Sequence, residues 1–285
     1  MFDRLDRSIE LLKASGAFLL KHRGLLVFPL LSSIAVLLLL ASFVLPMGGM
    51  HTLAALGDHE TALSYNQRSL AFLFYLSQYF VVFFFNAALI GAVMMQLDRE
   101  EPTVSGGLRI AASKLVPILA YSLIAATVGL ILQTLRERLG FIGRLVVGLL
   151  GVSWTLATYL VVPVLVFRQQ CGPIEAIMES AELFKKTWGE SAIGQSGLGL
   201  VFGVIFVAEL LCGFALVGFA RSVAHSAFLM ILLEVVGIGV VVLTALVQAT
   251  LSGIYQVALF RYANGFSAVS GFDPDVLEQA FQPAG

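Results

Sequence analysis

Six stretches of this chain run for 20 or more residues with hardly a charged side chain, and no other feature restricts the fold as much. They cover residues 24–46, 70–97, 116–135, 145–167, 192–220 and 227–260. A helix needs about 20 predominantly apolar residues to cross the hydrocarbon core of a bilayer. In lipid every backbone N–H and C=O must be satisfied within the protein, which leaves helices and closed barrels. Apolar runs of this length are helices. The chain therefore reads as all-α, a polytopic membrane helix bundle of six transmembrane helices in a single domain, with residues 261–285 as a tail. Charge supports this, since only 12% of the residues are charged. A soluble domain, with about 25%, uses those charges to cover its surface.

Orientation follows from the distribution of Lys and Arg beside the spans. Arg4, Arg7, Lys13, Lys21, Arg23, Arg99, Arg109, Lys114, Arg168, Lys185, Lys186 and Arg261 flank one side. Arg68, Arg136, Arg138, Arg144 and Arg221 flank the other. The larger set marks the cytoplasmic face, so both ends of the chain are expected inside. Arg136, Arg138 and Arg144 stand against the trend. The first 23 residues are charged and periodic, unlike a signal peptide. Cys171 and Cys212 have no metal-ligand spacing and fall near opposite faces, so a disulfide between them is not expected.

The segments expected on the cytoplasmic side are amphipathic. Phe2, Leu5, Ile9, Leu12 and Leu19 share one helical stripe opposite charged residues, a pattern suited to lying in the interface. Ile174, Ile177, Ala181, Phe184 and Trp188 repeat it behind Pro173. Val104, Leu108, Ala111 and Leu115 form a weaker version behind Pro102, with Gly106 and Gly107 blurring its start. Ser8-Ile-Glu-Leu-Leu-Lys13 aligns with Ser180-Ala-Glu-Leu-Phe-Lys185. Each copy leads into a pair of spans, which suggests a threefold repeat of interfacial amphipathic helix and transmembrane hairpin.

The residues Pro173-Ile-Glu-Ala-Ile-Met-Glu-Ser-Ala-Glu-Leu-Phe-Lys-Lys-Thr-Trp188 resemble a helix motif of a broad group of prokaryotic six-span proteins. That group includes the membrane domain joined to some glycerophosphodiester phosphodiesterases. With Gly253-Ile-Tyr-Gln-Val-Ala-Leu-Phe-Arg-Tyr-Ala263 and Gly271-Phe-Asp-Pro274, the chain resembles one bacterial family of unknown function over its whole length. The resemblance implies the fold and an inner-membrane address, and brings no catalytic residue or substrate.

No HExxH, GxSxG or Walker sequence is present, and His22, His51, His59 and His225 are scattered. No enzyme, metal or cofactor is expected. Gly199 and Gly203 read as a small-xxx-small helix contact. Polar residues inside spans are costly unless they face protein or water. Phe72, Tyr75, Tyr79, Phe83 and Asn86 share a stripe of the second span, and Thr244, Gln248, Ser252 and Gln256 a stripe of the sixth. Glu209 and Glu234 are the carboxylates deep in the last two spans. Glu209, Glu234, Ser252, Gln248, Tyr79 and Asn86 form the candidate ion, proton or solute site. The structural alternative makes these residues interhelical hydrogen bonds, and places the two glutamates at the outer interface. Lys13, Lys21, Arg23, Lys185 and Lys186 are candidates for lipid headgroups. Two functions stay open: a non-enzymatic transporter- or channel-like protein, or a lipid-binding, membrane-organising one. The partners expected are membrane lipids and no nucleic acid, with a homo-oligomer or larger membrane complex left open.

Overall fold

The long apolar runs are helices, and no strand occurs among the described residues. A computed structural model describes residues 15–44, 65–97, 101–186, 188–220 and 227–264. In chain order the helices are α1 (Val27–Val44), α2 (Tyr65–Leu97), α3 (Val104–Ser113), α4 (Leu115–Arg138), α5 (Phe141–Ala157), α6 (Val161–Phe167), α7 (Pro173–Lys186), α8 (Trp188–Phe219) and α9 (Ala227–Ala263). Six segments are long and apolar enough to cross a membrane: Arg23–Phe43, Phe72–Gln96, Leu115–Arg138, Phe141–Phe167, Val201–Phe219 and Phe228–Arg261. Each overlies one of the six stretches read from the sequence. The chain divides into two compact units, residues 27–186 and residues 1–26 with 187–285.

In the unit of residues 27–186, α2 is the axis. Its residues from Ala87 to Met94 are all buried. A helix buried on every side has to be apolar all round, and Ala87-Ala-Leu-Ile-Gly-Ala-Val-Met94 meets that condition. The helices α1, α3, α4 and α6 pack on α2, while α7 packs on α4, α5 and α6. From Val161 to Val166, α6 is wholly buried. The core therefore lies at the end of the bundle where the short helices α3, α6 and α7 gather. Towards the other end, Leu37, Leu38, Leu73, Ile131, Ile142 and Leu149 are exposed, as side chains that face lipid would be.

Glycines set the closeness of the α2–α3 contact. A Cβ on Gly107 would meet the carbonyl oxygen of Ala88 and come within 2.8 Å of Phe28 Cζ. A Cβ on Gly91 would sit 2.9 Å from Ile110 Cγ2. Gly106 and Gly107, which blur this helix in the sequence, are the residues that let it approach. Thr103 caps α3, its Oγ1 accepting from the Gly106 N–H at 3.1 Å. That satisfies one of the amides a helix start leaves free.

The fourth span runs from Phe141 to Phe167 as one span, with an interruption of its helix that the sequence reading of 145–167 did not foresee. Residues 158–160 separate α5 from α6. Pro163, the third residue of α6, has no N–H, and its ring would strike the Tyr159 carbonyl of a continuous helix. Pro117 holds the same third place in α4, just past the interruption at Lys114 that ends α3.

In the other unit, residues 15–21 are helical and lead to a 3-10 turn, Arg23–Leu26, which packs on α9. Of the predicted N-terminal stripe, Leu19 is buried and the other members lie outside the described residues. The helices α8 and α9 pack on one another. Neither breaks at Gly213 or at Ile231, so the described parts of this region are plain long helices. In α9 the C-terminal part from Ile254 to Phe260 is mostly buried, whereas Phe228, Ile231, Val235, Val236 and Ile238 are exposed.

Candidate functional site

Polar side chains concentrate at the α5–α6 break, where the backbone needs them. The Leu160 N–H donates to Ser180 Oγ at 3.0 Å, and Ser180 Oγ–H donates to the Ala157 carbonyl at 2.7 Å. Both backbone groups lost their helical partners at the break, and buried backbone groups are nearly always paired. One hydroxyl of α7 thus closes the gap in α5–α6. Lys114 Nζ donates to the Arg168 carbonyl and, at 3.4 Å, to that of Gln169. An ammonium placed there complements the C-terminal end of α6. Partial burial lowers the Lys114 pKa, opposed by the nearby Cys171. Arg168 grips Glu179 through Nε at 3.0 Å and Nη2 at 2.6 Å, and this bond raises the Arg168 pKa. The guanidinium is half exposed, so the pair adds about 1 kcal/mol or less. Cys171 is a free thiol whose pKa is pushed up by burial and then by Glu179 and Glu175.

The inward faces of α3 and α7 differ from the predicted ones. In α7, Ala176, Ser180, Leu183 and Phe184 are buried. Ile174, expected on the inner stripe, is 65% exposed and Met178 62%. In α3 the buried residues are Gly107 and Ala111, while Val104 and Leu108 are half-buried. Phe184 and Ala111 of the predicted stripes are buried as expected. At 3.6 residues per turn, the buried face of α7 is rotated by roughly a quarter turn from the stripe of large apolar residues, and that of α3 by less. The reason is common to both, because small residues let a short helix approach closely enough to bond or pack against backbone. Of the headgroup candidates, Lys21, Arg23, Lys185 and Lys186 are exposed, and Lys13 lies outside the described residues. Ser8, the counterpart of Ser180 in the repeat, lies outside them as well.

Inside the spans of this unit most hydroxyls bond their own helix. Ser77 donates to the Leu73 carbonyl, Ser122 to Ile118, Thr127 to Leu123, Ser153 to Leu149 and Thr155 to Gly151. Tyr79 stands against Gly129, where a Cβ would lie 3.2 Å from its Oη. Its ring neighbours Phe83, whose ring in turn lies 4.7 Å from that of Tyr121. The buried Tyr121 hydroxyl is hydrogen-bonded to Thr158. Asn86 is half-buried on α2.

The other unit holds the carboxylates Glu209 and Glu234. Glu209 lies ten residues, about 15 Å of helix, before Phe219, where α8 ends, which is about half the thickness of a hydrocarbon core. Thr244 Oγ1 donates to Glu209 Oε1 at 2.5 Å, and Glu209 Oε2 is buried with no hydrogen-bond partner among the described residues. Thr244, Gln248, Ser252 and Gln256 are all half-buried, so the i, i+4 stripe is one face of α9. Gln256 Oε1 is also buried without a partner. Glu234 is exposed on α9. It stands ten residues, about 15 Å of helix, from the Thr244 that holds Glu209. The site is thus Glu209 with the Thr244 stripe, and Glu234 is separate from it.

Among the described residues, no group of three or more His, Cys, Asp or Glu side chains comes together in a way that could hold a metal ion. Ser180 is the residue whose role sequence reasoning missed. A proline inside a predicted span was the available signal, because a broken ladder needs an outside partner. In comparisons with known proteins, the model of a family of unknown function (DUF6159) matches residues 66–272. No curated protein and no solved structure matches the chain.

Proposed function

The chain belongs to the family of unknown function DUF6159, which assigns no activity, and we propose that it is a non-enzymatic, transporter-like membrane protein that moves a proton or small cation at Glu209. One observation carries the reading: a carboxyl group about 15 Å of helix from the end of α8 has one oxygen bonded to Thr244 and the other buried with no partner among the described residues. A polar group in hydrocarbon is retained at a cost, and an ionisable one is a functional candidate by default. Unsatisfied buried polar atoms also call for an explanation, of which an exchanging proton, ion or water is one. From Glu209 the stripe Thr244, Gln248, Ser252 and Gln256 runs about 18 Å towards Arg261. Arg261 belongs to the side predicted to be cytoplasmic. Beyond Thr244 the same face continues as Val240 and Val236, so access to the carboxyl is from one side.

The test is flux in proteoliposomes carrying a pH-sensitive dye under imposed proton, Na+ and K+ gradients. Glu209→Gln keeps an oxygen for the Thr244 hydroxyl and removes the exchangeable charge. The expected result is wild-type flux above protein-free vesicles, falling to their level in Glu209→Gln. Flux equal in wild type and variant, or absent from both, removes the reading.

A second reading, lipid binding and membrane organisation through the interfacial helices, is favoured by Ile174 and Met178. They lie exposed on the same side of α7 as Lys185. An apolar pair beside a lysine is the pattern of a surface that dips into the headgroup region. Replacing both by serine should raise hydrogen exchange in α7 in lipid nanodiscs. Unchanged protection would count against a lipid contact there.

A further inference from the structure

The α4–α5 hairpin takes part in neither reading, yet it carries a groove and three arginines that the orientation rule does not explain. We propose that this groove binds one phospholipid with an anionic headgroup, its phosphate at Arg136 and an acyl chain running along α5.

The groove has a volume of about 490 Å³, within the range of about 300–1,000 Å³ typical of small-molecule sites. Leu132, Val147, Val152 and Leu156 make its wall apolar, while Gln133 and Arg136 stand at the end near the α4–α5 turn. Two glycines of α5 open it. A Cβ on Gly148 would meet nothing within 4 Å, and one on Gly151 would meet only Leu132 Cδ1, at 4.0 Å. The missing side chains leave space between the helices instead of bringing them together. The Thr155 hydroxyl, also in the lining, is already bonded to the Gly151 carbonyl at 2.9 Å, so the deep end offers no free polar group.

Charge and depth select the occupant. Arg136 and Arg138 end α4, and Arg144 stands in the first turn of α5. None of the three has a carboxylate within ion-pair distance among the described residues. The nearby Glu137 accepts from Gln133 Nε2 at 3.1 Å. Arg144 Nε donates to the Leu139 carbonyl at 3.3 Å, which leaves Arg136, the arginine of the groove lining, suited to a phosphate that it can bind in bidentate fashion. From Val147 to Leu156 the groove follows ten residues of α5. That is about 14 Å of helix, close to the depth of one leaflet in a core of about 30 Å. A cationic mouth above a one-leaflet apolar slot fits a phospholipid. It also accounts for arginines on the side where such residues are otherwise few.

Native mass spectrometry of the full chain, delipidated in detergent and then given equal amounts of phosphatidylglycerol and phosphatidylcholine, tests the proposal. The wild type should retain one lipid and favour phosphatidylglycerol by about fivefold, the size expected of one interfacial cation. Gly148→Leu fills open space and should lose the retained lipid with helicity and elution volume unchanged. Arg136→Gln should keep a lipid but lose the preference. Equal retention of both lipids by the wild type overturns the proposal, as does wild-type behaviour in both variants. Efficient disulfide dimerisation of Val152→Cys in lipid would show the groove closed by a second copy, and overturns it too.

Discussion

The α2–α3 and α4–α5 pairs each present glycines to a neighbouring helix, with opposite results. On α3, Gly107 meets the α2 backbone so closely that a methyl group has no room. On α5, Gly148 faces empty space. Residue type is the same and helix propensity is sacrificed equally, by about 1 kcal/mol per glycine. The difference is what surrounds the pair. At Gly107 both α2, through Ala88 and Ala92, and α1, through Phe28, stand against the glycine, so the missing side chain becomes a contact. The α4–α5 hairpin extends beyond the region where α6 and α7 pack, and the missing side chain there becomes a groove. A glycine in an apolar helix therefore identifies a surface without saying whether it is closed.

Substitutions can break that contrast. Gly107→Leu should have the largest effect, destabilising the protein by about 3 kcal/mol or more through overpacking, read as a fall in the thermal midpoint in detergent. A midpoint equal to wild type would mean that α3 is not clamped on α2. Ser180→Ala comes next. It leaves the Leu160 N–H and the Ala157 carbonyl unpaired, at about 1–3 kcal/mol for each group. Hydrogen exchange at Leu160 should rise in that variant, and unchanged protection would show that another group closes the break. Gly148→Ala should have the smallest effect and the opposite sign, a gain of about 0.5–1 kcal/mol from helix propensity. A loss instead would show a neighbour where the groove now stands open.

The six spans were legible because a bilayer imposes one requirement that a single sequence records directly, a sustained apolar run. The polar stripe of α9 was legible for a related reason, since Thr244, Gln248, Ser252 and Gln256 recur at helical spacing and are uniformly half-buried. The partner of Glu209 was not legible, because which residue stands opposite it depends on how α8 and α9 meet. The meeting selects Thr244. In the short helices the large apolar residues misled. Ile174 drew the inner stripe towards itself, whereas contact selected Ala176 and Ser180.

By itself, then, the sequence determined an all-helical membrane protein, the location of its spans and the presence of half-buried helices between them. Hydrophobic length and periodicity are local properties, and the bilayer reads them locally. Tertiary structure decided the break at residues 158–160 and its closure by Ser180, the rotation of α7 by roughly a quarter turn, and the partner of Glu209. Each of these depends on a close approach between segments distant in the chain, where small side chains and unpaired backbone groups count for more than hydrophobicity.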